Sequence, residues 1–216
     1  ACRLVVLLKD FDFHLPKDLI AQTPLGERSD ARLLFVEPEK GQYENLLVPN
    51  LSQFLESGDL LVLNNTKVIL ARLYGKKPTG GAVEVLVERI RSEREALVKI
   101  KARKSLRHGD RIFLEPPAEL VVNRRTEDFY IVNCEGSLSM VEILHRFGRV
   151  PLPPYINRPA NRNDVNRYQT VFAKQQGAVA APTAGLHISK EFLEACKQKS
   201  VEIGYLTLHI GSGTYE

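Results

Sequence analysis

Between residues 67 and 135 the chain alternates in steps of two. Val83, Val85 and Val87 interleave with Glu84, Leu86 and Glu88, and Val98, Ile100 and Ala102 interleave with Lys99, Lys101 and Arg103. Successive side chains of a strand point to opposite faces, so this spacing buries one face and wets the other. Phe129, Ile131 and the flanking Val132 mark a further strand, and Gly80-Gly81, His108-Gly109-Asp110 and Pro116-Pro117 supply turns. Short strands at regular spacing predict a small antiparallel barrel or sandwich.

The flanks read as mixed α and β. Pro16 sets up a short helix start, 31–36 is a strand, Asn50 caps a helix over 51–56 ended by Gly58, and 59–63 is a fully apolar, buried strand. Ser137 is the expected cap of an amphipathic helix through Phe147, with Gly148 at its end, and Pro151-Leu-Pro-Pro-Tyr155 is a rigid extended segment. Ser189 begins a helix that buries Phe192, Leu193 and Cys196. A strand over 201–208 delivers His209 at its C-terminal end, where ligands meet α/β sheets. The fold class expected is an α/β (mixed α+β) main domain, 1–66 and 148–216, with an all-β barrel domain inserted at 67–147.

Charge separates along the same boundaries. Residues 67–149 hold 17 Lys+Arg against 11 Asp+Glu, and the remainder holds 13 against 15, so the middle carries the whole positive excess of a chain with net charge +4. Such asymmetry points to a polyanion as partner of that segment. Lys99, Lys101 and Arg103 form its expected RNA-binding face. Cys2, Cys134 and Cys196 are far apart and without a Cys-x-x-Cys, which argues for a reduced compartment and against a zinc site. The five histidines form no ligand set, so no metal is expected. The apolar run at 4–8 is too short for a signal peptide or a membrane span and reads as an edge strand or non-native sequence. A cytoplasmic protein without membrane contact is expected, with a monomer favoured.

Two loops look like parts of a small-molecule pocket. Gly177-Ala-Val-Ala-Ala-Pro-Thr-Ala-Gly-Leu-His187 is mostly glycine and alanine, residues that let backbone approach a ligand closely. Thr207-Leu-His209-Ile-Gly211-Ser-Gly213-Thr-Tyr215 repeats the theme. Each presents one imidazole, and each also reads as a close-packed turn.

These loops, with Phe11-Asp-Phe-His-Leu-Pro16, Pro24-Leu-Gly-Glu-Arg-Ser29, Gly58-Asp-Leu-Leu-Val-Leu-Asn-Asn-Thr-Lys-Val68, Ala71-Arg-Leu-Tyr-Gly75, Gly148-Arg-Val-Pro-Leu-Pro-Pro-Tyr-Ile156 and Arg167-Tyr-Gln-Thr-Val171, closely resemble the S-adenosylmethionine:tRNA ribosyltransferase-isomerase family of queuosine biosynthesis. The resemblance runs from Phe11 to the last residue. It implies an α/β domain interrupted by a Greek-key barrel. It also implies transfer of the ribosyl part of S-adenosylmethionine onto the aminomethyl-deazaguanine wobble base of a tRNA, giving epoxyqueuosine, adenine and methionine. S-adenosylmethionine is then a co-substrate and no cofactor is needed. Two departures stand out. Residues 1–8 differ from the usual start, and the chain stops inside a motif that family members continue, so a longer molecule with more of the α/β domain is expected.

That reaction asks for a base near neutrality, a donor for departing adenine and groups that hold a cationic sulfur. Histidine suits proton transfer, which makes His187 and His209 the catalytic candidates. Asn64, Asn65 and Thr66 offer amide and hydroxyl groups to a nucleoside, or equally serve as turn and cap residues. Arg72 and Lys67 suit phosphate or the methionine carboxylate. Tyr155, Tyr168 and Gln169 suit a base pocket, or for the tyrosines a core. Pro182, Thr183, Ala184 and Gly185 in the first loop, and Gly211, Gly213 and Thr214 in the second, complete the expected substrate-binding set. Two alternatives remain: a noncatalytic RNA-binding barrel, and another S-adenosylmethionine-dependent RNA enzyme. A methyltransferase is disfavoured because no Gly-x-Gly-x-x-Gly follows the first long strand.

Overall fold

The structure, a computed structural model, describes residues 6–116 and 118–215. The expected strand at 4–8 falls partly outside these residues, as do Cys2 and Pro117. From Leu8 the chain instead forms a short 3-10 turn, Leu8–Phe11, and Pro16 is followed by another, Lys17–Leu19. A hairpin follows, β1 (Arg32–Glu37) against β2 (Gln42–Leu47), turned at Gly41 with φ +62. The predicted helix at 51–56 is a 3-10 stretch, Val48–Phe54. Asn50 lies inside it and reaches back to accept from the Leu47 N–H at 2.9 Å.

β3 (Leu60–Asn64) and β4 (Thr66–Val68) are separated only by Asn65. β3 is not the buried strand that its apolar sequence predicts. Among the described residues it has one partner strand, which gives a two-stranded sheet packed on one face, so Leu61 and Leu63 turn inward while Leu60 and Val62 are 60% and 50% exposed.

The alternating segment closes into a six-stranded antiparallel barrel. Its strands are β5 (Arg72–Lys76), β6 (Ala82–Ile90), β7 (Glu95–Ala102), β8 (Arg111–Phe113), β9 (Glu119–Arg125) and β10 (Tyr130–Glu135), in the order β10-β7-β6-β5-β8-β9. Val83, Val85, Val87 and Val98 all point inward and are at most 2% exposed. They share a core with Leu73, Ile112, Leu120, Val122 and Val132. Burying each such side chain contributes roughly 1.5–3 kcal/mol. The register slips between Val87 and Arg89, so Glu88 is the extra residue of a β-bulge. The chain enters and leaves this region at one point: the Arg149 N–H donates to Arg72 O at 2.8 Å and the Arg72 N–H to Arg149 O at 3.2 Å.

α1 (Met140–Phe147) plugs the barrel core with Met140, Ile143 and Leu144. Its cap is Ser139, not Ser137. Ser139 and Glu142 form a Ser-x-x-Glu capping box, with the Ser139 N–H donating to the Glu142 carboxylate at 2.8 Å. α2 (Arg162–Arg167) was not anticipated. Asn161 caps it, and its buried Asp164 accepts from both terminal nitrogens of Arg158 at 2.7 and 2.8 Å. β11 (Gln175–Ala178) pairs parallel to β4. α3 (Lys190–Gln198), capped by Ser189, buries Phe192, Leu193 and Cys196 as predicted. β12 (Glu202–Leu206) pairs parallel to β3 and stops three residues before His209. The architecture is mixed α+β: one closed barrel beside small parallel sheets. No helix of the described residues is long and apolar enough to cross a membrane.

Candidate functional site

The segment that leaves β12 is tied to the β3–β4 junction at three successive residues. Asn64 donates to Leu208 O at 2.9 Å and accepts from the Leu208 N–H at 3.1 Å. Thr207 Oγ1 donates to Asn65 Oδ1 at 2.7 Å. Thr66 Oγ1 lies 2.8 Å from His209 Nδ1. Asn64 and Thr66, and Asn65 through its Oδ1, thus use side-chain groups expected to bind a nucleoside to hold the second loop.

The first loop meets the second from the other side. Val179 N–H donates to Ile210 O at 2.8 Å, and the His209 ring lies directly on Gly177. A Cβ at Gly177 would sit 2.7 Å from Cε1 and 2.8 Å from Nε2 of that ring. The glycine is there because the imidazole occupies the place of its side chain.

His209 faces a cavity of about 1190 Å³ between β4, β11, the end of β6 and α1. Lys67, Gln169 and Gly211 of the sequence-predicted set also line it. Gln169 is anchored by a pair of bonds to Val68, accepting from its N–H at 3.0 Å and donating to its carbonyl at 2.7 Å. Sequence reasoning missed Arg28, Arg89, Lys190 and His145 on these walls, and Glu88. The bulge turns Glu88 onto the second loop, where its carboxylate accepts from the Ser212 N–H at 3.0 Å and fills the space beside Gly211. Among the described residues Glu88 is the only carboxylate on the cavity wall. Alternation placed it on the outer face but could not reveal the bulge that aims it.

Tyr155, Pro182, Thr183, Ala184 and Thr214 line a separate recess of about 420 Å³ with Tyr215. Tyr168 lies behind it, only 7% exposed, with its hydroxyl 2.5 Å from that of Tyr215. Burial raises both phenols above their ordinary value; the shared hydrogen bond reinforces the rise at Tyr215 and opposes it at Tyr168. Gly185 is packed against Phe172 and Thr170, each 3.0 Å from where its Cβ would be, whereas Gly213 faces open space. Arg72 bridges elements, pairing with Glu84 at 3.1 Å and donating to Leu152 O at 3.0 Å. His187 ends a 3-10 turn, Thr183–His187, and lines neither cavity. Lost solvation lowers its pKa first, with the Arg28 and Arg167 charges adding to it. The structure therefore does not bring the two histidines to one cavity.

On the barrel, Lys99 and Lys101 share the outer face of β7, and Arg103 lies just beyond the strand. Lys101 and Arg103 line an open groove of about 2330 Å³ with Lys76, Lys104, Arg107 and Arg111. Lys99 instead sits 5.1 Å over the Phe129 ring. Among the described residues no group of three or more His, Cys, Asp or Glu is placed to hold a metal.

The family model for queuosine biosynthesis proteins matches residues 8–216. The chain belongs to that family. An S-adenosylmethionine:tRNA ribosyltransferase-isomerase of Nitrosomonas europaea is 49% identical over 207 residues, 96% of this chain and 59% of that protein. One of Stenotrophomonas maltophilia is 47% identical over 207 residues, 96% of this chain and 60% of that protein. The chain thus spans about 60% of the length of these curated relatives. A solved structure of S-adenosylmethionine tRNA ribosyltransferase from Thermotoga maritima is 24% identical, with a TM-score of 0.38 over 93% of this chain and 58% of that one. The two loops and the Asn-Asn-Thr junction meet around one imidazole, that of His209.

Proposed function

We propose that the protein transfers the ribosyl part of S-adenosylmethionine onto the aminomethyl-deazaguanine wobble base of tRNA, yielding epoxyqueuosine with release of adenine and methionine. The observation that carries this is identity of 47–49% across 96% of the chain to proteins named for that activity. The His209 cavity suits the chemistry. S-adenosylmethionine is a co-substrate, and no metal or resident cofactor is invoked. His209 supplies the imidazole, and Arg28, Lys67 and Arg89 suit the negative groups of methionine and RNA. Glu88 suits the cationic sulfur. The recess beside Tyr155, Pro182, Thr183, Ala184 and Thr214 suits a stacked base. The basic groove at Lys101 and Arg103 suits RNA phosphates.

The finer domain reading is an α/β domain formed by 1–66 and 148–216, with a Greek-key barrel inserted at 67–147. It is supported by β8 lying beside β5 and by the Arg72–Arg149 bridge. A monomer in the cytoplasm fits this role.

The test is product analysis with S-adenosylmethionine and precursor tRNA, on this chain and on a version extended to the length of its relatives. Adenine and methionine release, with epoxyqueuosine in the digested tRNA, is expected of the longer protein. Formation of S-adenosylhomocysteine would instead identify methyl transfer, and tRNA binding without turnover in both forms would identify a binding module.

A further inference from the structure

The two nitrogens of the His209 ring have unlike surroundings. Nδ1 is 2.8 Å from Thr66 Oγ1. Nε2 has no hydrogen-bond partner among the described residues, and the exposed ring faces the cavity. Thr66 is only 1% exposed, and Nδ1 is the only partner of its hydroxyl among the described residues.

A hydroxyl can donate once. If Nδ1 carried the imidazole proton, Thr66 would have to accept, and its own hydrogen would be buried without a partner. That arrangement is disfavoured by about tenfold or more. If the hydroxyl donates, Nδ1 is the acceptor, both groups are satisfied, and the proton of the neutral ring resides on Nε2. Rotation away from this contact is restricted. Asn64 holds the Leu208 backbone from both its N–H and C=O, and Gly177 lies against the Cε1 edge of the ring.

We propose that Thr66 fixes His209 as the Nε2–H tautomer, so that the ring offers the cavity a hydrogen-bond donor and not a base. Thr66 is thereby a positioning residue. The mechanistic use of the donor rests on the ribosyl-transfer reading above. There, adenine departs with the electrons of its bond to ribose, a neutral imidazole N–H stabilises the charge on its ring nitrogen while keeping its proton, and the adenine anion takes a proton from water on release. The base that the reaction also asks for is then another group.

The tautomer is read directly from long-range proton–nitrogen correlation spectra of the 15N-labelled 216-residue chain, with His209 assigned by its disappearance in His209→Gln. The expected result is an unprotonated, hydrogen-bond-accepting Nδ1 and a protonated Nε2. A protonated Nδ1 in the parent chain overturns the proposal, whatever the variants do. Thr66→Ser should keep the Nε2–H form, and Thr66→Val should turn it into a mixture. An unchanged tautomer in folded Thr66→Val removes Thr66 from the role. Turnover provides a second readout, in the protein extended to its relatives' length. His209→Ala should lose about 100-fold or more. His209→Gln, which puts an amide N–H near the place of Nε2, should recover at least about tenfold of that loss. Equal loss in both variants overturns the donor role. Absence of adenine release from the parent, with the Nε2–H tautomer observed, would refute the ribosyl-transfer reading and leave the tautomer standing.

Discussion

Gly177→Ala should damage the site more than its single added carbon suggests. The new Cβ would stand 2.7 Å from Cε1 and 2.9 Å from Nδ1 of His209, against an ordinary contact of at least 3.4 Å, so one side must yield by about 0.7 Å. The backbone at 177 is also at φ +149, a conformation that residues with a Cβ rarely adopt, at a cost of order 1–3 kcal/mol. The ring is the softer partner, since its segment is exposed while Gly177 belongs to a strand paired with β4. A shift of 0.7 Å away from Gly177 would strain the 2.8 Å bond to Thr66. Misplacement by about an ångström costs roughly 100-fold in rate. Gly177→Ala is therefore expected to lower unfolding free energy by about 1–3 kcal/mol in urea titrations and adenine release by about 100-fold in the extended protein. Gly26→Ala is the control, because a Cβ there meets nothing within 4 Å. If Gly177→Ala matched that control in both assays, the ring would not be held where the structure places it.

Three further outcomes are expected. Asp164→Asn should destabilise the chain by about 3 kcal/mol in urea titrations, because it strips the buried partner from Arg158. The Arg158 hydrogen bonds lower the Asp164 pKa, so its contribution is present above about pH 4 and lost as pH falls through the lowered folded value; the variant should lack that part of the acid transition. The same sign applies to His187 at higher pH, because its lowered pKa likewise makes the unfolded chain the better proton binder. Stability should therefore fall as pH drops through about 6.5, and melting temperatures of His187→Gln between about pH 7 and 5 should show a shallower fall. In tRNA titrations, Lys101→Ala and Arg103→Ala should each flatten the log–log salt dependence by about one unit, and Lys99→Ala by less, because its ammonium lies over Phe129. Slopes unchanged from the parent in all three variants would remove the groove from the RNA path.

The barrel was legible because alternation is a local signal, and Val83, Val85, Val87 and Val98 obey it. Its short strands β5 and β8 escaped because three to five residues are too few to show a period. The helix beginning at Ser189 was legible from cap and apolar face together. β3 misled because an apolar run reports what a strand could bury, not how many neighbours it has. In the candidate site, sequence singled out His209 and Gly211, which the structure places on one cavity. It could not separate His187 from His209, since their loops look alike and only tertiary packing sends one to the cavity. Glu88 was hidden in a regular strand by a one-residue bulge.

The bond pair joining Arg72 to Arg149 also bears on how the chain reaches its fold. β3 must find β12 across 142 residues, from Leu60 to Glu202, whereas β5, β6 and β7 pair with sequence neighbours. Neighbouring hairpins close faster than distant strands, so the barrel should form first. Once it does, the 76 residues between positions 72 and 149 no longer count in the search. The effective loop roughly halves, which lowers its closure entropy by only about 0.6 kcal/mol. The long detour therefore hardly burdens the parallel sheets, and a short turn in place of residues 73–148 would bring their ends together almost as well.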